Sequence, residues 1–145
     1  MKTYIVDIDG TLADLGHRLH FIQQEPKQWD AFFEACSEDT PINGVIFVIK
    51  ALLHDGAYIV FLTGRPEKVR AKTVTWLNEQ GLPVNHLIMR RDGDHREDTV
   101  AKLELLRSLP TGAEIAGIFE DRPSVCRTWR SMGLAVFQVG SGEEF

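Results

Sequence analysis

Cysteine is almost absent from this chain, and that scarcity is the first constraint. Cys36 and Cys126 stand far apart, neither has a Cys or His at metal-ligand spacing beside it, and both fall in segments that read as helix. A disulfide framework and a zinc site both fit poorly, and two buried free thiols in a reducing compartment fit well. Long apolar runs are also missing. Nothing approaches the roughly 18 uninterrupted apolar residues that a membrane helix needs, and Met1 leads into a β-rich run rather than a charged, then apolar, leader. The expectation is a soluble, cytoplasmic protein with no membrane contact. Positive charge is in short supply too: Lys and Arg number 16 against 21 Asp and Glu, a formal net charge of -5. That balance argues against a broad basic surface that coats nucleic acid. A polyanionic ligand must instead be gripped locally.

What the chain does have is alternation. With 145 residues, 43% of them hydrophobic, it can bury a sizeable core and should form one domain, residues 1–145. Short β-rich apolar runs at Thr3–Ile8, Ala57–Leu62, Val84–Met89, Ile115–Phe119 and Ala135–Val139 alternate with helical periods near Lys27–Cys36, Val45–His54, Glu67–Gln80, Thr99–Leu109 and Pro123–Met132. Alternation of this kind implies parallel strands joined by crossover helices. The expected fold is α/β: a Rossmann-like, three-layer α/β/α domain with a five-stranded parallel sheet. The stretch from Leu12 to Pro41 is long for a strand-to-helix connection, and it should form a small helical cap over the sheet's edge. Trp29, Phe32 and Phe33 lie on one helix face there, and the spacing favours packing of the cap core over stacking on a base. Trp76 and Trp129 belong to sheet-covering helices, and His17 and His20 to the cap surface.

In an open parallel sheet the loops at the carboxyl ends of the strands gather along one edge. Here those ends carry polar residues: Asp7-Ile8-Asp9-Gly10-Thr11, Thr63-Gly64-Arg65, Arg90 to Asp94, and Glu120-Asp121-Arg122. Asp7, Asp9 and Asp121 suit Mg²⁺, which would lie between a phosphate dianion and an anionic nucleophile. Asp7 is ionised at neutral pH and needs no partner base to attack phosphorus and form an aspartyl phosphate. Asp9, two residues on, is placed to swing toward the leaving oxygen as general acid and later base, with its backbone carbonyl left for the metal. Gly10 permits the turn. Thr63 offers a hydroxyl and Gly64 a backbone N–H at an expected helix start, a natural anion site. Lys102, paired with Asp98 one helical turn earlier, supplies an ammonium to offset charge on the phosphoryl group and Asp7.

Taken together, these segments resemble the haloacid dehalogenase superfamily of phosphatases: Asp7 to Thr11 its first motif, Thr63 its second, Lys102 its third and Glu120-Asp121 its fourth. The resemblance implies a Rossmann-like sheet, Mg²⁺, an aspartyl-phosphate intermediate and a cap inserted after the first motif. It brings Glu120 into the metal set with Asp7, Asp9 and Asp121. A closer likeness, over nearly the whole chain to Gln138–Phe145, is to the 3′-phosphatase domain of phage-type polynucleotide kinases. It rests on Arg18, Thr63-Gly64-Arg65, the stretch Arg91 to Arg96 before Asp98 and Lys102, and Asp121-Arg122 followed by Trp129-Arg130. By that likeness Arg18, Arg65 and Asp98 join Thr11 and Gly64 around the substrate. No Gly-x-x-x-x-Gly-Lys-Ser/Thr loop occurs, so 5′-kinase activity is not expected of this chain.

Two readings of the basic loop stay open. Arg90, Arg91, His95 and Arg96 either clamp flanking phosphates of an oligonucleotide, the favoured reading, or form a solvated turn offset by Asp92 and Asp94. The leading function is removal of phosphate from nucleic-acid 3′ ends or nucleotides, beside a separate kinase or ligase. The alternatives are a phosphatase of a small non-nucleotide metabolite and, from another class, a phospho-acceptor signalling domain. Asp9 argues against the last, because an acid two residues after the nucleophile promotes turnover of the phosphoaspartate.

Overall fold

The computed structural model describes residues 2–110 and 113–144. Met1 and Phe145, the ends of the expected domain, lie outside the described residues. In chain order the elements are β1 (Thr3–Val6), β2 (Ala13–Asp14), α1 (Trp29–Glu34), β3 (Thr40–Pro41), α2 (Asn43–His54), β4 (Tyr58–Pro66), α3 (Arg70–Glu79), β5 (Leu87–Arg90), α4 (Asp98–Arg107), β6 (Ile115–Glu120), α5 (Pro123–Ser131) and β7 (Val136–Gln138). Single 3₁₀ segments at Gly16–Phe21, Ala35–Glu38 and Glu67–Val69 fill the connections.

The five long-range strands pair in the order β5-β4-β1-β6-β7, all parallel. From β1 the chain builds outward first through β4 and β5, then returns to the other side through β6 and β7. The winding therefore reverses between β1 and β6, where a crevice opens at the carboxyl ends of the strands. Strand alternation separates two cores. Val6, Ile59 and Phe61 face one layer with Ile46, Ile49, Trp76 and Leu77 of α2 and α3. Ile5, Val60 and Leu62 face the other with Leu106, Val125 and Trp129 of α4 and α5. Fully burying each such side chain stabilises the fold by roughly 1.5–3 kcal/mol, so a one-residue slip in β1 or β4 would exchange the two faces and is strongly disfavoured. Cys36 and Cys126 are buried free thiols, and Trp76 and Trp129 are core residues, as the sequence suggests. Among the described residues no helix is long and apolar enough to cross a membrane.

Two features differ from expectation. The cap is not simply helical: it stands on a two-stranded antiparallel stem, β2 with β3, pairing Ala13 with Pro41 and Asp14 with Thr40. Strands of two residues leave no period to read. β4 also runs on through Thr63-Gly64-Arg65 to Pro66, and its register with β5 shifts between Thr63 and Pro66. Proline cannot donate to a ladder, so a bulge is its natural setting. The expected helix start after Gly64 is thus corrected: a 3₁₀ turn follows Pro66, and α3 begins only at Arg70.

Candidate active site

β1 stops at Val6, yet the Asp7 N–H still donates to the Phe119 carbonyl at 3.0 Å, so Asp7 sits in the crevice between β1 and β6. The loop beyond it is tight. The Ile8 carbonyl accepts the N–H groups of Thr11, Leu12 and Ala13 at 3.1, 2.9 and 3.0 Å. Gly10 has φ +82°, and a Cβ there would lie 2.0 Å from Asp121 Oδ2, so both backbone and space demand glycine. The loop brings the Thr11 hydroxyl to donate to Asp7 Oδ2 at 3.0 Å and within 3.5 Å of Asp121 Oδ1.

Lys102 projects from α4 into the same crevice, where its Nζ lies 2.9 Å from Asp7 Oδ1 and 2.8 Å from Glu120 Oε1. Asp98 lies 3.6 Å away, one helical turn back, as its spacing implies. Asp7, Glu120 and Asp121 each present a carboxylate oxygen within 4.8 Å of the others. Burial, then the charge of Glu120, push the Asp7 carboxyl well above the ordinary carboxylate range, although Lys102 pulls the other way. Burial and Glu120 push Asp121 up to about 6. For Lys102 burial favours the neutral amine, but Asp7, Asp98 and Glu120 overcome it and hold the ammonium charged. Such crowding of hard oxygen donors is the setting a divalent cation relieves. Glu120 is already the most engaged of the three: its Oε2 accepts the N–H groups of Asp121 and Arg122 at 3.1 and 3.4 Å.

The carboxylate of Asp9 does not join this cluster; it turns toward two buried guanidinium groups. Its Oδ1 accepts from Arg18 Nη2 at 2.6 Å and from Arg65 Nη2 and Nε at 2.7 and 3.0 Å. Burial opposes ionisation, but Arg65 and then Arg18 hold the Asp9 carboxyl below its ordinary value. Arg18 and Arg65 also meet on Asp39, which sequence reasoning missed. Asp39 accepts from Arg18 Nε and Nη2 at 2.8 and 2.7 Å and from Arg65 Nη2 at 3.1 Å, with His17 Nε2 at 2.7 Å from its Oδ1. Arg65 further donates to the Thr73 hydroxyl at 3.1 Å, and Arg18 stacks over Phe32 with its guanidinium carbon 4.4 Å from the ring centroid. Asp39 lies in the polar stretch Ser37-Glu38-Asp39-Thr40, which looks like solvated loop; only the β2–β3 stem brings it under Arg18.

The remaining sequence-derived residues divide. Thr63 is fully buried, and its Oγ1 accepts the Arg65 N–H at 3.1 Å, whereas Gly64 lines the cleft. A Cβ on Gly64 would lie 2.8 Å from Asp98 Oδ1, so Asp98 and β4 meet at close quarters. Asp98 accepts from Arg90 at 2.6 Å and lies 3.3 Å from Arg122. Arg90 also donates to the Asp94 and Arg96 carbonyls, so it braces the loop after β5. Arg96 lines the cleft but pairs with Asp94 and Glu104, close to the solvated-turn reading. Arg91 lines the cleft, is exposed, and has no ion pair among the described residues. In the cap, Phe32 is buried with Leu15 and Ile22, but Trp29 departs from expectation: it is 40% exposed and faces the cleft.

Fold and site together define a phosphatase of the haloacid dehalogenase type. Residues 1–144 match the model of the polynucleotide kinase PNKP phosphatase domain, and the chain belongs to that family. It is similar to a chain of the Pnkp1/Rnl/Hen1 RNA repair complex, with 28% identity over 99% of this chain and 43% of that one and a TM-score of 0.84. A second structure of a Pnkp1/Rnl/Hen1 complex gives 28% identity, 99% and 47% coverage and a TM-score of 0.82. This chain thus spans less than half the length of those two. A class C acid phosphatase from Bacillus anthracis with tungstate bound shares the fold, with 20% identity, coverage of 86% and 53%, and a TM-score of 0.65.

Burial decides what each ion pair is worth. Removing Asp39 leaves two buried guanidinium groups short of a counter-ion, so Asp39→Ala should lower unfolding free energy by roughly 3–5 kcal/mol. Lys72→Ala, which breaks the half-exposed pair with Glu34 at 2.7 Å, should cost far less. Urea denaturation of the two variants checks this, and equal losses would refute the ranking.

Proposed function

We propose that this chain is a Mg²⁺-dependent phosphomonoesterase of the cytoplasm, a single domain that works through an aspartyl phosphate on Asp7 and removes phosphate from nucleic-acid 3′ ends or nucleotides. The observation that carries the reading is the setting of Asp7, a buried carboxylate on the cleft wall with Oδ1 on Lys102 and Oδ2 on Thr11. Both contacts fix its direction, and the ammonium offsets its charge without a base having to act first.

Asp7 and Asp121, with Glu120 beside them, form a hard-oxygen donor set that suits Mg²⁺, and the Asp9 backbone carbonyl would complete it. When bound, the ion supplies positive charge between the Asp7 carboxylate and the phosphate dianion. Asp7 attacks phosphorus, and the bond to the leaving oxygen breaks as Asp9 gives that oxygen a proton. In the second step Asp9 takes a proton from water, whose oxygen attacks phosphorus and releases Asp7 and inorganic phosphate. The guanidinium groups of Arg65 and Arg18 favour the ionised Asp9 that the second step needs. The arriving phosphate dianion acts in the opposite sense, raising the Asp9 pKa toward the protonated form that the first step needs. Lys102 and Gly64 hold the phosphoryl group, and Thr63 behind them fixes the end of β4 through the Arg65 N–H. Arg91, with Arg96 behind it, takes a flanking phosphate. Family membership supports the nucleic-acid substrate, and the likeness to longer chains of an RNA repair complex supports work beside separate kinase and ligase activities.

Asp7→Asn should abolish phosphate release from 3′-phosphorylated oligonucleotides and aryl phosphates alike while the protein stays folded by circular dichroism; appreciable turnover would remove Asp7 from its role. A panel of 3′-phosphorylated oligonucleotides, nucleoside 3′- and 5′-monophosphates and sugar phosphates should show the highest kcat/KM on the first, and a preference for sugar phosphates would refute the substrate reading.

The carboxylates also predict a pH-dependent metal effect. Asp7 and Asp121 have folded-state pKa values above the unfolded value of 3.8, Asp121 at about 6. Burying these charges beside Glu120 therefore costs stability as pH rises from about 4 through the folded-state values, about 6 for Asp121, and protons relieve that cost below this range. A bound cation relieves it at neutral pH, where protons do not. Mg²⁺ should raise the Tm more at pH 7.5 than at pH 5 in differential scanning calorimetry, and an equal or reversed effect would contradict the donor set.

A further inference from the structure

The phosphate chemistry leaves one conspicuous side chain unexplained. Trp29 is 40% exposed on the wall of the cleft, whereas Trp76 and Trp129 are buried. Its indole is held rather than loose. Phe33 stacks on it at 5.9 Å between centroids with an interplanar angle of 22°, and Phe32 meets it edge-on at 5.7 Å and 88°. An aromatic ring fixed in this way presents its face at little further cost in entropy. The Lys27 ammonium stands over it, 5.7 Å from the ring centroid.

Cations stand near the ring, on a cleft wall continuous with the site. Asp30, beside Trp29, pairs with Lys68, whose backbone N–H donates to Asp92 Oδ1 at 2.9 Å, so the cap helix and the loop after β5 are drawn together. His95 lies close enough to help hold the Asp30 carboxyl low. Lys27, Arg91 and His95 therefore border the same cleft of about 1280 Å³ that holds Asp7 and Asp121. A small phosphorylated metabolite needs neither an aromatic shelf nor outlying cations; a strand carrying bases and phosphates matches both.

We propose that Trp29 is a stacking shelf for a nucleobase of the phosphate-bearing strand, with Lys27 and Arg91 taking its backbone phosphates. The inference rests on the nucleic-acid reading of the site and specifies it: the strand is single or frayed at the base that meets Trp29, because a base inside a duplex is already stacked on both faces. A base that stacks on Trp29 takes the place of Lys27 over the ring, and the ammonium turns to a phosphate.

The test compares a 3′-phosphorylated trinucleotide with an abasic chain of the same length and charge, on the wild type, Trp29→Leu and Trp29→Phe, with folding checked by circular dichroism. In the wild type the base-bearing chain should have a KM roughly 5- to 100-fold lower than the abasic one. Trp29→Leu should bring that ratio close to one, and Trp29→Phe should keep part of it. Adding the trinucleotide to Asp7→Asn should quench tryptophan emission, and the quench should vanish when Trp29→Leu is combined with it. A ratio that survives Trp29→Leu, or a wild type that hydrolyses both chains equally well, overturns the shelf and leaves the 3′-phosphatase reading standing. A wild type that hydrolyses aryl phosphate but neither chain overturns both.

Discussion

Too much negative charge in one place is the constraint on which the rest of this structure depends. Asp7, Asp9, Asp98, Glu120 and Asp121 all converge at the carboxyl edge of the sheet, and Asp39 lies just behind. The fold answers with cations drawn from different elements: buried Lys102 from α4, Arg65 from β4 and Arg18 from the cap, and partly buried Arg90 from β5. Each sits within hydrogen-bond reach of a specific carboxylate, which is what makes buried charge tolerable. The balance is uneven. Asp9 is over-supplied with positive charge and held low, while Asp7 and Asp121 are under-supplied and pushed up. That asymmetry separates the roles of the two sides of the crevice: one is short of a cation, and the other is already neutralised.

Much of this was legible in the sequence, for a physical reason. Asp7, Asp9 and Glu120-Asp121 lie at the ends of short apolar runs that read as strands, and Lys102 lies one turn into a helix between two of them, so the parallel topology alone brings them together. Their partners are another matter. Asp39 depends on a stem of two-residue strands that carries no periodic signal, and Thr40-Pro41 reads as a loop. Gly64-Arg65-Pro66 looks like a strand terminator, yet a bulge lets β4 continue through it. Arg90 looked like one more residue of a basic loop, yet its guanidinium is spent on Asp98 and two carbonyls. In each case local pattern described the residue and tertiary contact assigned its work.

Trp29 shows the converse. Its spacing with Phe32 and Phe33 marks one face of a helix, and that much is true, since all three rings touch. But α1 is only six residues long and sits on the rim of a small cap, so its apolar face is wider than the interior it covers. Phe32 takes the buried position, and the ring one turn earlier is left on the cleft wall. A helical period tells which residues share a face; how far that face is covered depends on the size of what lies beneath.

The two kinds of contact between cap and core differ enough in energy to decide where the cap can move. At its root Arg18 shares partly buried Asp9 and fully buried Asp39 with Arg65, and separating them would strand charge in the interior. At its rim the contacts are Lys68 with Asp30 and Lys72 with Glu34, both substantially exposed and worth little in water. Separating cap from core therefore costs least at the rim, beside Trp29, and most at the root. The root pairs also fix Arg18 against Asp9, so the position of that carboxylate is tied to the strong end of the contact rather than to the weak one.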